Sequence, residues 1–370
     1  MLQFAFLLFL LLFFHAQSDV LAYEWSCVMG HYVAPSPWLS ALGLTVVFAC
    51  LGWGTEWLLK RVCTTAKSWT CVCLAWLAVA GVSGTFVSWQ YQLLLALIAI
   101  ALGILLHWLN GKEEFGKVKV ATFYHTFLWA AMQLLVLCLF VGVGNGVTDL
   151  QHYELRTAQA LQSEHPKRAY KVGDKSFVTS PRLFAMRCYL LAKTHKKGLA
   201  DKIFEQMVPK GGAENLLIPN DEMQNLLFPA SHLTRLLGCS RHQGEDALTY
   251  LRRCAWLSAF RNGQKHSAAI DYYLCALLLN RQLDRFATEI VRFYPHAVDT
   301  GTLPTYYAQA LMLYRRTCSQ PTVFYEDNSV EANYQDYTDM ADTLSTAMRY
   351  NLLRRSYGET YWWWYSYGEH

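Results

Sequence analysis

Two carboxylates near the N-terminus are the residues whose position most suggests chemistry. Asp19 and Glu24 follow the first apolar stretch and lie in a segment, residues 18 to 37, that contains no Lys or Arg. Paired carboxylates can divide general acid and general base roles between them. The sequence contains no Gly-x-Ser-x-Gly, Ser-x-x-Lys, P-loop or Gly-x-Gly-x-x-Gly motif. Asp19 and Glu24 are therefore catalytic candidates for an alternative hypothesis only, and the leading prediction assigns no catalytic residue.

Possible metal ligands in the second half of the chain have unsuitable spacing. His232, Cys239, His242 and Cys254 include the ligand types of zinc, but their spacing matches none of the common zinc patterns. An acidic segment, residues 326 to 342, lacks the regular alternation and the turn glycine of an EF-hand loop. The sequence accordingly predicts no metal site and no cofactor.

The second half also contains five cysteines, Cys188, Cys239, Cys254, Cys275 and Cys318. An odd number cannot pair completely within one chain. Cys188, Cys254 and Cys275 fall on predicted apolar helix faces, where a thiol is expected to behave as a small hydrophobic group. One disulfide is compatible with an oxidising compartment, but the sequence does not choose its partners.

The C-terminus carries the least random string in the chain. Six aromatic residues occupy seven positions: Tyr361, Trp362, Trp363, Trp364, Tyr365 and Tyr367. They are the interaction candidates of this sequence. Three interpretations remain open: a terminal segment that covers the end of a helical stack, an anchor in the outer leaflet of a membrane, and a platform on which sugar rings or a partner stack.

The first part of the chain contains apolar stretches that predict membrane-spanning helices. A bilayer core about 30 Å thick needs roughly 20 helical residues. Five stretches meet or approach this length: residues 2–17, 38–59, 69–89, 93–109 and 120–143. Because no Lys or Arg precedes the first stretch, we predict a retained helix rather than a cleaved signal peptide.

Basic residues in the connecting loops predict the orientation. The first 146 residues contain six Lys or Arg, and the alternate loops contain none. The six lie in two loops: Lys60, Arg61, Lys67, Lys112, Lys117 and Lys119. Such an asymmetry places these loops in the cytoplasm. Five spans then put the N-terminus inside and residues 147–370 outside, in the periplasm if the membrane is a bacterial inner membrane.

From residue 147 onward the pattern changes to amphipathic helices, which predicts an all-α fold. Two helix pairs are about 30 residues long and similar to tetratricopeptide repeats: a helix that begins at Pro181 and precedes a turn at residues 196–198 pairs with 199–208, and 267–279 pairs with 283–294. Residues 176–179 are the only strand candidate. We predict a transmembrane helical domain over residues 1–146 and a soluble helical-repeat domain over residues 147–370. Both parts are close to neutral, which argues against nucleic acid as a partner.

The chain resembles a family of multi-pass membrane proteins from Bacteroidetes known only as a domain of unknown function. The resemblance covers most of the chain and rests on four segments: Gln17-Ser18-Asp19-Val20-Leu21-Ala22, Leu303-Pro304-Thr305-Tyr306-Tyr307 before Ala310-Leu311, Asn333-Tyr334-Gln335-Asp336-Tyr337, and Thr360-Tyr361-Trp362-Trp363. It implies a membrane location and a C-terminal helical domain similar to tetratricopeptide repeats. It carries no activity to transfer.

These observations predict an integral inner-membrane protein that presents a periplasmic helical domain to an envelope protein partner. The expected role is a scaffold or assembly factor without catalysis, in contact with the lipid bilayer. The alternative is an envelope glycosyl or lipid-carrier enzyme, because membrane glycosyltransferases that use polyprenyl-linked sugars often carry acidic residues in their first outside loop. That enzyme would use Asp19 and Glu24.

Overall fold

The computed structural model describes residues 2–33, 35–60, 66–84, 86–115, 123–162, 169, 171–173, 178–194, 198–217, 228, 230–262 and 267–368. The described residues form helices and connecting turns, without a strand among them. The chain divides into two compact units, Met1–Leu155 and Arg156–His370. The division falls inside helix Asp149–Gln162, whereas the sequence predicted a domain boundary at residues 146 and 147.

The first unit is a bundle of long apolar helices. Its helices are α1 (Leu2–Ala16), α2 (Ser18–Met29), α3 (Pro37–Leu59), α4 (Ala66–Ser83), α5 (Trp89–Phe115), α6 (Phe123–Gly144) and the start of α7 (Asp149–Gln162). Helix α4 packs against α3, α5 and α6, and α1 packs against α3 and α6. Most outward side chains are apolar, which is the reverse of a water-soluble bundle and suits a lipid environment.

Three described helices are long and apolar enough to cross a membrane: Pro37–Leu59, Trp89–Trp108 and Phe127–Gly144. They correspond to the second, fourth and fifth predicted spans. The third predicted span was to reach residue 89, but its helix ends at Ser83. The Ser83 hydroxyl donates to the carbonyl of Val79 at 2.8 Å and accepts from Nε2 of Gln92 at 2.9 Å. This contact holds the end of α4 against the next helix.

The first predicted span and the loop after it differ from the structure, which has two helices in their place. The helix over Leu2–Ala16 is followed at once by Ser18–Met29, with a bend of 72° between them. The two helices are long and apolar enough for one membrane span only if they are counted together. Residues 18–37 were predicted to be an outside loop, but Ser18–Met29 is a helix, with Asp19 in its first turn, where a carboxylate suits the helix dipole. This second helix exposes Trp25, Val28 and Met29.

The second unit contains shorter helices and several 3-10 turns. After the end of α7 its α-helices are α8 (Pro181–Thr194), α9 (Ala230–Leu237), α10 (Ala247–Asn262), α11 (Ala268–Leu279), α12 (Leu283–Phe293), α13 (Pro295–Thr300), α14 (Thr305–Thr317), α15 (Asn328–Thr343), α16 (Thr346–Tyr357) and α17 (Tyr361–Tyr367). The helix pair predicted at residues 267–294 is present as α11 and α12. Pro295 ends the predicted second helix but also begins α13, where a proline at the first turn loses no hydrogen bond.

Helix α11 is the centre of the second unit. Its 12 residues are apolar on almost every face, and from Ala269 to Leu279 all are buried. At about 1.5 Å per residue, such a helix is too short to cross a bilayer. It packs against α10 and α12 and against the 3-10 turns, so it forms the core around which the unit is built.

One predicted helix pair is wrong in its second member. Residues 199–208 were predicted to be a helix, but the chain forms two 3-10 turns, Gly198–Asp201 and Ile203–Glu205. Lys202 between them has φ −139°, which interrupts helical geometry. Leu199, Ile203 and Phe204 are buried all the same. Apolar spacing therefore predicted the burial of these three side chains but not the backbone, and Met207, in the same predicted helix, is exposed. In the strand candidate 176–179, residues 176 and 177 lie outside the described residues, and residues 178–179 are not a strand.

Candidate functional site

The aromatic C-terminus is a short helix, Tyr361–Tyr367, fixed at its beginning by polar groups. Thr360 is its N-cap, with its side chain accepting from the backbone N–H of Trp363. The backbone N–H of Tyr361 donates to Oε1 of Gln309 at 2.7 Å, and the Tyr361 hydroxyl donates to the carbonyl of Leu278 at 3.2 Å. These bonds tie the terminal helix to α14 and α11.

Three of the six aromatic candidates are buried inside the unit. Tyr361 and Trp362 are fully buried and Trp364 is nearly so. The ring of Phe204 lies about 5 Å from the rings of Tyr361 and Trp364, at 5.1 and 5.0 Å. Trp362 contacts Tyr334 at 5.4 Å on its other side. These side chains cover the apolar core of the unit, which agrees with the interpretation of a terminal segment that covers the end of a helical stack. Their rings pack against other residues of the same chain.

Arg281 closes the other end of the terminal helix. One guanidinium nitrogen donates to the carbonyl of Gly368 at 2.7 Å. The guanidinium carbon also lies 5.1 Å from the ring centre of Trp364 and 5.5 Å from that of Tyr365. A cation at a helix C-terminus satisfies free carbonyl groups and the helix dipole together. Arg281 is the one described non-glycine residue with a positive φ, 54°.

Two of the remaining candidates, Trp363 and Tyr367, form a partly exposed cluster with Tyr350, here called the aromatic cluster. Their ring centres lie 5.8 to 5.9 Å apart. Tyr350 of α16 is exposed, and Trp363 and Tyr367 are half-buried. Tyr365, the last candidate, is half-buried beside Arg281. Rigid rings that rest on a buried base offer contact area at a small cost in conformational entropy. The sequence analysis missed Tyr350, which joins the cluster from another helix.

The structure gives Asp19 a partner that the sequence did not suggest. Asp19 is buried in the first turn of α2, and its Oδ2 lies 2.8 Å from Nδ1 of His152. His152 belongs to α7, so the pair joins two segments 133 residues apart in the chain. A carboxylate and an imidazole at this distance can orient each other and exchange a proton.

Asp19 and Glu24 do not form a converging pair. They lie five residues apart on one helix, so their side chains leave it in directions about 140° apart. Glu24 is half-buried, whereas Asp19 is buried. A third carboxylate, Glu56, pairs with the C-cap residue of its own helix: the Lys60 Nζ lies 2.7 Å from Oε1 of Glu56.

A polar group in the centre of the second unit was missed by the sequence analysis. Asp271 is fully buried on α11, and its Oδ1 accepts from the hydroxyls of Tyr294 at 2.7 Å and Tyr307 at 3.1 Å. Burial and the Asp271 carboxyl raise the pKa of both tyrosines well above the ordinary value. The hydroxyls therefore stay protonated and donate. The network links α11, the residue that follows α12, and α14 in the core.

A disulfide joins Cys239 and Cys254, with their Cα atoms 6.0 Å apart. The prediction that Cys254 acts as a small hydrophobic group is therefore wrong. Cys188 and Cys275 are buried free thiols, as predicted. Among the described residues no group of three His, Cys, Asp or Glu could hold a metal ion.

The loop that the disulfide closes is braced by an ion pair. Arg253 donates to both carboxylate oxygens of Glu245, at 3.0 and 2.8 Å. The hydrogen bond from Arg253 lowers the pKa of Glu245 to about 2. The Tyr250 hydroxyl donates to the carbonyl of Cys239 at 2.8 Å. The covalent and polar contacts together fix the entry to α10.

A family described as "Family of unknown function (DUF6057)" matches residues 232–368. The matched segment includes the disulfide, the core helix α11 and the aromatic terminus, and three of the four segments on which the resemblance rested. No curated protein and no solved structure matched the chain.

Proposed function

We propose that this chain is an inner-membrane protein that holds its C-terminal unit outside the cytoplasm as a binding module without catalysis. Five crossings are proposed: the three long helices, the bent pair as one, and α4. The basic residues in alternate loops support this count and the orientation. An odd number of crossings places the two ends of the chain on opposite sides of the membrane.

The disulfide supports the outside location independently of charge. Cys239 and Cys254 both lie in the second unit and are joined. Disulfides persist in oxidising compartments such as the bacterial periplasm and are rare in the cytosol. The charge pattern and the disulfide come from different parts of the chain and indicate the same side.

The observation that carries the binding role is the aromatic cluster of Tyr350, Trp363 and Tyr367. Trp and Tyr are the residues most enriched at the energetic centres of protein interfaces. Trp363 and Tyr367 lie on the same helix as the buried Tyr361, Trp362 and Trp364, which hold that helix in place, so these two rings do not need to be ordered when a partner binds. The proposed partner is an envelope protein.

The test is in-cell crosslinking of the full chain, followed by purification in detergent and mass spectrometry. We expect one reproducible envelope protein, and we expect it to be lost when Trp363 and Tyr367 are both replaced by Ala. Phe324→Ala is the matched control, because Phe324 is an exposed aromatic residue outside the cluster. Capture that is unchanged in the double variant would contradict the proposal.

The variants must be chosen by burial. Trp362→Ala removes a fully buried ring and is expected to lower the free energy of unfolding by about 3–5 kcal/mol. Loss of a partner in that variant would therefore report unfolding of the unit. Trp363→Ala removes a half-buried ring, so the melting temperature of the full chain should fall much less. Thermal unfolding in detergent separates the two cases.

The pair of Asp19 and His152 favours a second candidate, an envelope glycosyl or lipid-carrier enzyme. A buried carboxylate 2.8 Å from an imidazole can serve as an acid–base pair. Asp19→Asn keeps the size of the side chain and removes the carboxylate. An unchanged envelope glycan and lipid profile in Asp19→Asn and in Glu24→Gln would eliminate this candidate, and a changed profile in Asp19→Asn alone would favour it.

A further inference from the structure

Helix α10 carries an exposed surface that the aromatic cluster does not include. Trp256, Leu257 and Phe260 are exposed, and Phe260 is 90% exposed. Trp256 and Phe260 are four residues apart and so lie along one face of the helix. Single exposed apolar side chains are common, but three within five positions of one helix form an exposed apolar patch, which is a candidate contact surface.

Arginines surround this apolar patch. Arg252 is one turn before Trp256 on the same face, and Arg261 follows Phe260; both are exposed. Arg292 comes from the neighbouring helix α12, and its guanidinium carbon lies 4.7 Å from the ring centre of Trp256. Arg292 also lies 3.6 Å from the buried carboxylate of Glu289. The surface, here called the Arg–Trp–Phe patch, therefore combines three apolar side chains with three arginines, one of them ion-paired.

We propose that the Arg–Trp–Phe patch contacts the anionic surface of a phospholipid bilayer. Trp and Phe with Arg around them are the side-chain types of an interfacial contact, in which apolar groups enter the headgroup region and cations meet phosphates. Each arginine near an anionic surface strengthens such a contact roughly fivefold. The unit is also covalently continuous with helices that can cross a membrane, so a bilayer is always within reach.

Phe324 is an exposed aromatic ring outside the Arg–Trp–Phe patch, and it has acidic neighbours in the sequence. Phe324 is 69% exposed, close to the exposure of Phe260. It is followed by Glu326 and Asp327, and the Glu326 side chain is 79% exposed. Carboxylates repel an anionic surface, so this ring lacks the charge complementarity that the three arginines supply. Phe324 is therefore a matched control position.

The test places the photoreactive residue p-benzoylphenylalanine at position 260 or at position 324 of the full chain in its native membrane. After irradiation, the membrane fraction is analysed by mass spectrometry for adducts on each position. We expect phospholipid adducts at position 260, enriched in anionic lipids, and few at position 324. Replacing Arg252, Arg261 and Arg292 together by Gln should lower the lipid adducts at position 260 at least roughly fivefold.

The bilayer contact rests on the membrane location proposed above. Different outcomes of the experiment would contradict the contact and the location. Equal lipid adducts at both positions, protein adducts instead of lipid at position 260, or no adduct at position 260 would overturn the bilayer contact while the chain remains in the membrane fraction. Recovery of the chain in the soluble fraction would overturn the membrane location and this inference with it.

Discussion

Arg281 holds a backbone conformation that normally favours glycine. Its φ of 54° places it in the left-handed region, at the end of α11, where a side chain costs roughly 1–2 kcal/mol. The guanidinium group offsets this cost because it donates to the carbonyl of Gly368 and covers the Trp364 ring. One residue therefore ends the core helix and fastens the terminal helix.

Replacing Arg281 separates these two roles. Arg281→Ala keeps the backbone cost and loses the contacts with the terminal helix, so it should lower the melting temperature of the full chain. Arg281→Gly loses the same contacts but removes the backbone cost, so it should be more stable than the alanine variant by about 1 kcal/mol. Thermal unfolding in detergent checks the order. An alanine variant as stable as the glycine variant would contradict the account.

Glu245 makes the second unit sensitive to acid. Its pKa is lowered from 4.5 to about 2 by Arg253, so the folded state favours the charged carboxylate more than the unfolded state does. The stabilisation is present above pH 4.5 and is lost as the pH falls toward 2. Because the Arg253 side chain is 30% exposed, solvent limits the contribution to less than about 1 kcal/mol.

The corresponding variant is Glu245→Gln. We expect it to lower the melting temperature above pH 4.5 and to have a smaller effect at pH 2 to 3. The measurement is a series of melting curves of both proteins between these pH values. An equal difference between the two proteins at every pH would show that the lowered pKa contributes nothing.

The burial and contacts of individual side chains were the hardest features to predict from the sequence. The aromatic string could be identified from its sequence, but which rings face inward depends on the register of a seven-residue helix against Phe204 and Gln309. The partnership of Asp19 with His152, and that of Asp271 with Tyr294 and Tyr307, joins residues far apart in the chain. Such contacts follow from tertiary packing and leave no local signal.

At the scale of elements, the disulfide fixes the loop before α10. A closed loop of about 15 residues stabilises a fold by about 3 kcal/mol, chiefly by restricting the unfolded chain. The Cys239→Ala/Cys254→Ala variant should therefore have a lower melting temperature than the natural chain. A reductant should lower the melting temperature of the natural chain and leave that of the variant unchanged. A reductant effect of equal size in both proteins would exclude this disulfide as its cause.

Helices with strong apolar periodicity were predicted well, and short elements were not. Helix 283–293 was visible because its apolar residues repeat at helical spacing, and helix 268–279 because it is an almost continuous apolar run. Residues 199–208 have similar spacing, yet they form 3-10 turns because Gly198, with φ 67°, and Lys202 interrupt the α-helix. Helix Ser18–Met29 was missed since it follows α1 without a proline or glycine to mark a new element.

At the scale of the whole molecule, composition separated the two parts of the chain. The apolar helices of the first unit and the buried core of the second are both visible in the distribution of charged residues. The number of crossings is less direct, because α1 is bent away from α2 and α4 is short. With the N-terminus in the cytoplasm, three or five crossings place the second unit outside and four place it inside, so the location of that unit is the central claim.

Paired topology reporters test this claim most directly. Two reporters would be fused in turn after residue 370 and after Lys112. Alkaline phosphatase is active only outside the cytoplasm, and green fluorescent protein fluoresces only inside it, because it does not fold after export as an unfolded chain. The account predicts phosphatase activity at the C-terminus and fluorescence at Lys112. Fluorescence at the C-terminus with phosphatase activity at Lys112 would reverse the orientation, and fluorescence at both positions would place the second unit in the cytoplasm.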